Sequence, residues 1–285
     1  MRFRLFTLLS LALMGCAETS QGLALVPLFV AGRDNLETIN TDGESALTID
    51  RAELAFGPLY LCAGVTAGEL CETARLEWLG SVVVDLTSPE PLRAGALTGV
   101  TGTVQSWMYD LGISSQLTRD EPFILDAAST LGGTSFVLEG RAQVDDLELP
   151  FTVSVAVQQT DDTELGVPVI RKSNSDTFSR EVTGDESGLV VRFDLEALVR
   201  GIDFRAYVSY ERCAVDGPEL VCDGALERRC DGETEQSTRD CSERGEICAP
   251  RRGCVEALRL TEESQGYRSV RNALMSGARP SFTWD

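Results

Sequence analysis

Apolar residues fall in short runs along this chain, and the clearest of them repeat with a period of two. In TSFVLEGRAQV (134–144), Phe136, Leu138, Gly140, Ala142 and Val144 alternate with Val137, Glu139, Arg141 and Gln143. In LPFTVSVAVQ (149–158), Phe151, Val153, Val155 and Val157 alternate with Thr152, Ser154 and Ala156. Successive side chains of a strand point to opposite faces, so each segment predicts a strand with one buried face. The DDLE link between them is short enough for a hairpin. Similar runs occur at 24–32 (ALVPLFVAG), 46–62, 81–86, 102–112, 188–195 and 204–210. Pro27 inside the first of these predicts an edge strand, because proline cannot donate to a sheet ladder.

A period near 3.6 is rare. LEALVRG (195–201) predicts one or two helical turns ending at Gly201. In 262–277, Tyr267, Val270, Leu274 and Met275 share one helical face and Gly277 is a stop signal. Phe282 and Trp284 then alternate as in a final strand, and the polar stretch 171–188 predicts a loop. Many short strands without a βαβ rhythm predict a mainly β fold: an antiparallel β-sandwich with a small disulfide-rich module and one C-terminal helix.

The first residues follow another pattern. Arg2 and Arg4 precede an apolar run from Leu5 to Met14, too short to span a bilayer as a helix. Leu13-Met14-Gly15-Cys16 follows, and it resembles the lipobox of bacterial lipoproteins. That resemblance implies cleavage before Cys16, acyl chains such as palmitate on its sulfur, and attachment to the membrane of a bacterial cell envelope. Ala17, where an aspartate would favour inner-membrane retention, implies the outer membrane. The expected organisation is a signal peptide (1–15), a tether (16–22), a sandwich (23–212), an inserted cysteine module (213–254) and a return to the sandwich (255–285).

Composition narrows the chemistry. The chain has 285 residues, a formal net charge of -20 and no histidine. Without histidine there is no Ser-His-Asp or Cys-His nucleophile pair and no imidazole metal ligand. The negative charge repels nucleic acid, so no nucleic-acid partner is expected.

Of the nine cysteines, Cys16 is assigned to lipid, which leaves an even number for an oxidising compartment. Cys62 and Cys71 frame a short loop and are expected to pair. Cys213, Cys222, Cys230, Cys241, Cys248 and Cys254 sit in a stretch with few large apolar residues, which covalent links must hold together. Six cysteines allow fifteen pairings, and their spacing does not choose among them. No C-x2-C pair occurs in the module, so disulfides are favoured over a metal cluster.

ALTIDRAELAFGPLYL (46–61), DLEALVRGIDFRAY (194–207) and SQGYRSVRNALMSGARPSFTW (264–284) resemble segments of the methanobactin-associated periplasmic proteins and their relatives. The resemblance implies a β-sandwich with a helical segment near the C-terminus and an envelope location. Some members of that family bind copper through histidines and a modified tryptophan. This chain has Trp78, Trp107 and Trp284 but no histidine, so that site does not carry over.

Asp110, Asp126, Asp145 and Asp146 fall near predicted strand ends, where a carboxylate pair could serve a glycosidase. Lys172-Ser173 has the composition of a Ser-Lys dyad. DDTE (161–164), NTDGE (40–44) and DGE (231–233) offer clustered oxygens for a structural Ca2+. None of these forms a strict motif, so no catalytic or metal-ligating residue and no cofactor is assigned. The expected function is a non-catalytic binding or structural role at the envelope, with a protein or glycan partner. A calcium- or copper-binding envelope protein is the alternative, and a carboxylate-based hydrolase the third reading.

Overall fold

The computed structural model describes residues 22–33, 38–66, 71, 73–114, 123–157, 171–174, 178–208, 213–215, 217, 219–249 and 252–285. Cys16 and the DDTE segment lie outside the described residues.

The first half of the chain contains β1 (Leu23–Gly32), β2 (Ile39–Asn40), β3 (Ala46–Phe56), β4 (Leu59–Cys62), β5 (Ala74–Trp78), β6 (Val82–Asp85) and β7 (Leu92–Val100). It continues through β8 (Gly102–Val104), β9 (Ser106–Tyr109), β10 (Ile113–Ser114), β11 (Phe123–Ile124) and α1 (Asp126–Thr130). The second half begins with β12 (Phe136–Val144), β13 (Leu147–Val155), β14 (Arg171–Asn174), β15 (Arg180–Val182), β16 (Leu189–Phe193) and α2 (Leu195–Val199). The module contributes β17 (Leu220–Asp223), β18 (Leu226–Asp231), β19 (Thr234–Asp240), β20 (Ile247–Ala249) and β21 (Gly253–Val255). Then come β22 (Leu258–Leu260), α3 (Gln265–Asn272) and β23 (Ser281–Trp284).

Two sheets form the sandwich. One has eight strands in the order β14-β9-β4-β5-β7-β1-β16-β23, and the other six, β2-β3-β12-β13-β22 with β6 also on β3. Their inner faces share one core. Phe56 of β3 touches Trp78, Tyr109 and Phe193 of the facing sheet, with ring centroids 5.4–6.1 Å apart. The alternation in β12 and β13 does what its period predicts: Phe136, Leu138, Ala142, Phe151, Val153 and Val155 are buried. Those strands form a hairpin, closed by Asp145-Asp146, with Asp145 at φ 51°.

Several expectations are corrected. Most pairings are antiparallel, but β1 runs parallel to β16 and β13 parallel to β22. β1 is an interior strand despite Pro27, because β16 covers it only from Leu28 onward and leaves the proline before that ladder. The predicted loop 171–188 contains β14, paired with β9, and β15, paired with β8. Within the predicted strand 204–210, Arg205–Tyr207 instead form a 3-10 turn, and 209–210 lie outside the described residues. There the Asp203 carboxylate accepts the Arg205 backbone N–H at 3.0 Å, a local bond that closes the turn in place of a ladder.

α3 is capped by Ser264, whose hydroxyl accepts the Tyr267 N–H, and ends in a π-helical turn at Ala273–Gly277. Tyr267, Val270 and Leu274 are buried in the main core. Because β22 pairs with β13 and β23 with β16, the chain on both sides of the module contributes strands to the sandwich. No helix of the described residues is long and apolar enough to cross a membrane.

Candidate binding site at the module junction

The module is built around sulfur. Cys213 pairs with Cys230, Cys222 with Cys248, and Cys241 with Cys254. Cys222, Cys241 and Cys248 are buried and, with Cys254, form a small cluster of their own. The β17-β18-β19 sheet is thereby stapled to the β20-β21 hairpin. The pairing follows from strand placement, which brings together cysteines that sequence spacing leaves ambiguous. In the sandwich, Cys62 pairs with Cys71, as their spacing predicts.

Glu227 completes the module. It is 5% exposed, and its carboxylate accepts the Cys254 backbone N–H at 3.0 Å. A Cβ on Gly253 would lie 2.4 Å from that carboxylate, so only glycine allows the approach. Glu227, Cys241 and Cys254 have potential ligand atoms within 4.8 Å of one another, but both sulfurs are tied in a disulfide. An oxidised pair has no thiolate to offer a metal, so here the carboxylate acts as a brace.

The module meets the sandwich at Ala249, which lies in the main core, and at Ile247 and Val255, which pack against it. Two cavities flank this junction and share Tyr207. One, of about 320 Å3, has Leu258 and Val255 on its wall together with Arg252, Arg259, Thr261 and Ser264. The other, of about 270 Å3, lies between Leu147–Pro150 of β13 and the 245–248 segment of the module.

In the first cavity, Arg252 and Arg259 are exposed, and Arg252 donates to the Arg259 carbonyl at 3.5 Å. Among the described residues neither guanidinium has an ion-pair partner, although Glu263 lines the same cavity. Some arginines of this acidic chain are bound to carboxylates, as Arg51 is to Glu53 and Glu139, and Arg205 to Asp203; what distinguishes Arg252 and Arg259 is that they share one cavity. The site thus joins two available cations, an aromatic ring, an apolar floor and two hydroxyls. Glu263 adds one carboxylate to the lining. Two guanidiniums beside a nonpolar wall suit an anion with an apolar face.

The residues singled out in the sequence do not converge. Asp110 follows β9, Asp126 opens α1, and Asp145 and Asp146 form the β12-β13 turn, so no facing carboxylate pair results. Asp110 does act on Tyr60: burial pushes the phenol up to about 12, and the charges of Asp110 and Glu77 add to this. Lys172 and Ser173 are consecutive in β14, so their side chains point to opposite faces of the sheet and form no dyad. The Ser173 hydroxyl accepts instead from Arg279 at 2.8 Å. NTDGE closes the turn between β2 and β3, and DGE the turn between β18 and β19. Trp78, Trp107 and Trp284 are strung through aromatic packing and do not gather at one place; Trp107 lies against Phe282, and Trp284 against Phe178.

Sequence reading missed the junction cavity. Its residues come from two stretches, 206–207 and 249–264, that the fold brings together, and arginines are too common here to mark a site by themselves.

No family model and no curated protein matches the chain. Among solved structures, MbnP from Methylosinus trichosporium is similar over 64% of this chain and 79% of its own, with 10% identity and a TM-score of 0.34. Its name is that of the family which the three sequence segments resemble. A likeness of this size carries no statement about a site.

Proposed function

We propose that this protein is a non-catalytic binding protein of the bacterial cell envelope, held at the membrane by lipid on Cys16. Its binding site is the cavity between the disulfide module and the sandwich. The observation that carries this reading is the pair Arg252 and Arg259, which have no ion-pair partner among the described residues, in one cavity with Tyr207 and Leu258 in a chain of net charge -20. Guanidiniums bind carboxylates with directed, charge-assisted hydrogen bonds, and an aromatic face suits the C–H face of a sugar ring. The ligand we propose is an acidic glycan presenting a uronic-acid residue. Four disulfides suit an oxidising compartment, and the Cys16 context suits lipid attachment.

The test is calorimetric titration of the lipid-free protein with oligogalacturonate and with a neutral oligosaccharide of equal length. Binding of the acidic oligomer alone, weakened by salt and lost in Arg252→Ala/Arg259→Ala, is expected. Equal binding of the neutral oligomer, or binding unchanged in the double variant, overturns the reading.

A further inference from the structure

The two sheets of the sandwich differ on their outer faces. On the six-stranded sheet, Glu139, Arg141 and Gln143 of β12 and Glu148, Thr152 and Ser154 of β13 point outward. That is the alternation of a sheet with one face in water. β1, in the eight-stranded sheet, reads LALVPLFVAG and has no polar side chain. Its inward residues Ala24, Val26, Leu28 and Val30 are buried in the core. Its outward residues Leu23, Leu25, Pro27 and Phe29 are apolar too, and Leu23 and Leu25 are 91% and 63% exposed.

The register widens this stripe. Val100 lies opposite Leu23, Ala96 opposite Pro27 and Val190 opposite Phe29, and residues paired across a ladder share a face. The row of Leu25 runs on through Thr98 to Glu77 and Tyr60, where polar groups bound the stripe. Arg75, two residues before Glu77, is on the same face, and among the described residues its Nε has no hydrogen-bond partner. A guanidinium at the border of an apolar face suits a lipid phosphate, with its stem along the apolar side chains.

The stripe also begins where the chain enters the sheet. Gly22 is fixed to Thr101, whose hydroxyl accepts the Gly22 N–H at 2.9 Å and whose own N–H donates to the Gly22 carbonyl at 2.8 Å. From Cys16 to Gly22 the chain reaches about 20 Å at most when extended. Acyl chains on Cys16 therefore hold Leu23 and Leu25 close to the bilayer surface. Apolar side chains held there bury into the boundary between headgroups and acyl chains, a second contact that strengthens a lipid anchor.

We infer that the outer face of β1, with Leu23 and Leu25 foremost, lies against the phospholipid bilayer that carries the anchor. This inference rests on the proposed lipid attachment at Cys16. It turns the polar outer face of the six-stranded sheet toward water.

The experiment supplies the attachment by chemistry, so it reads the face whether or not a cell acylates Cys16. The processed chain beginning at Cys16, with its other cysteines oxidised, is coupled through the Cys16 thiol to a maleimide lipid in phosphatidylcholine vesicles. Leu25→Trp adds a tryptophan to the apolar stripe. Thr48→Trp adds one to the outer face of the other sheet, at an exposed position opposite Arg141. Emission is compared with and without bromine on the lipid acyl chains, after subtraction of the wild-type signal. Strong quenching of the Leu25→Trp emission and none of the Thr48→Trp emission is expected. An unquenched Leu25→Trp, or equal quenching at both positions, overturns the proposal. So does a Leu25→Trp emission that changes with protein density on the vesicle and ignores bromine, because a second copy then covers the face. A Cys16 that the cell leaves unacylated is detected separately, by membrane fractionation of Cys16→Ser.

Discussion

The Glu227 carboxylate accepts the Cys254 backbone N–H at 3.0 Å and so joins β18 to the β20-β21 hairpin inside a module with almost no apolar core. A buried donor that loses its acceptor costs about 1–3 kcal/mol. Glu227→Ala is therefore expected to destabilise the module by roughly that amount, read as faster hydrogen exchange at Cys254 and easier reduction of the module disulfides. Glu227→Gln keeps an acceptor and should lose less. Equal exchange in the wild type and the alanine variant would falsify the bracing role.

Disulfide pairing has its own test. With four pairs formed, a thiol-blocking reagent should label none of the eight cysteines other than Cys16 in unreduced protein. After proteolysis, mass spectrometry should find peptides joined as 213–230, 222–248 and 241–254. Stoichiometric labelling would count against the pairing.

Tyr60 gives a pH signature. Burial, with Asp110 and Glu77 nearby, raises its phenol from 10.0 to about 12. The folded protein holds this proton more tightly than the unfolded chain does. The associated stability is present in full below pH 10 and is lost as pH rises through about 12. An ultraviolet titration should show a late step from Tyr60 in addition to the raised ionisation of Tyr267, whose phenol burial and Glu262 push up. Tyr60→Phe should remove that step and flatten the alkaline loss of stability.

Gly57 sits at φ +109°, where a Cβ would lie 2.3 Å from the Gly80 carbonyl oxygen and 2.7 Å from the Trp78 ring. The left-handed backbone and the clash both oppose a side chain. Gly57→Ala is expected to destabilise the sandwich by about 1–3 kcal/mol, with a shift in tryptophan emission as Trp78 is displaced. Unchanged thermal unfolding and emission would contradict this placement.

The proposed membrane anchor rests on one atom, the Cys16 sulfur. Cys16→Ser is expected to move the protein from the membrane fraction to the soluble fraction, as loss of acylation requires. Continued fractionation with membranes would rule out lipid on Cys16 as the anchor.

The hairpin of β12 and β13 is legible in the sequence because period-two burial is local: each residue's face follows from its neighbour's. So are α2, α3 and the Cys62–Cys71 bridge, which depend on residues close in sequence. The interior position of β1, and β14 as a strand, were not legible in this way. Pro27 is tolerated in an interior strand only because β16 begins its pairing one residue later, and Lys172-Ser173 becomes a strand only because β9 is there to pair with it. The three module pairings depend in the same way on strand placement, and the Arg252–Arg259 cavity on Tyr207, which the fold brings to it from another stretch.

The chain's own pattern determined the β class, the oxidised cysteines and the absence of histidine chemistry, since each follows from residue type and short-range periodicity. The tertiary structure decided which cysteines join, which acids remain apart and where two arginines stand beside an aromatic ring. Those outcomes follow from strand order, because hydrogen-bonded pairing at a distance sets neighbours that no local rule contains.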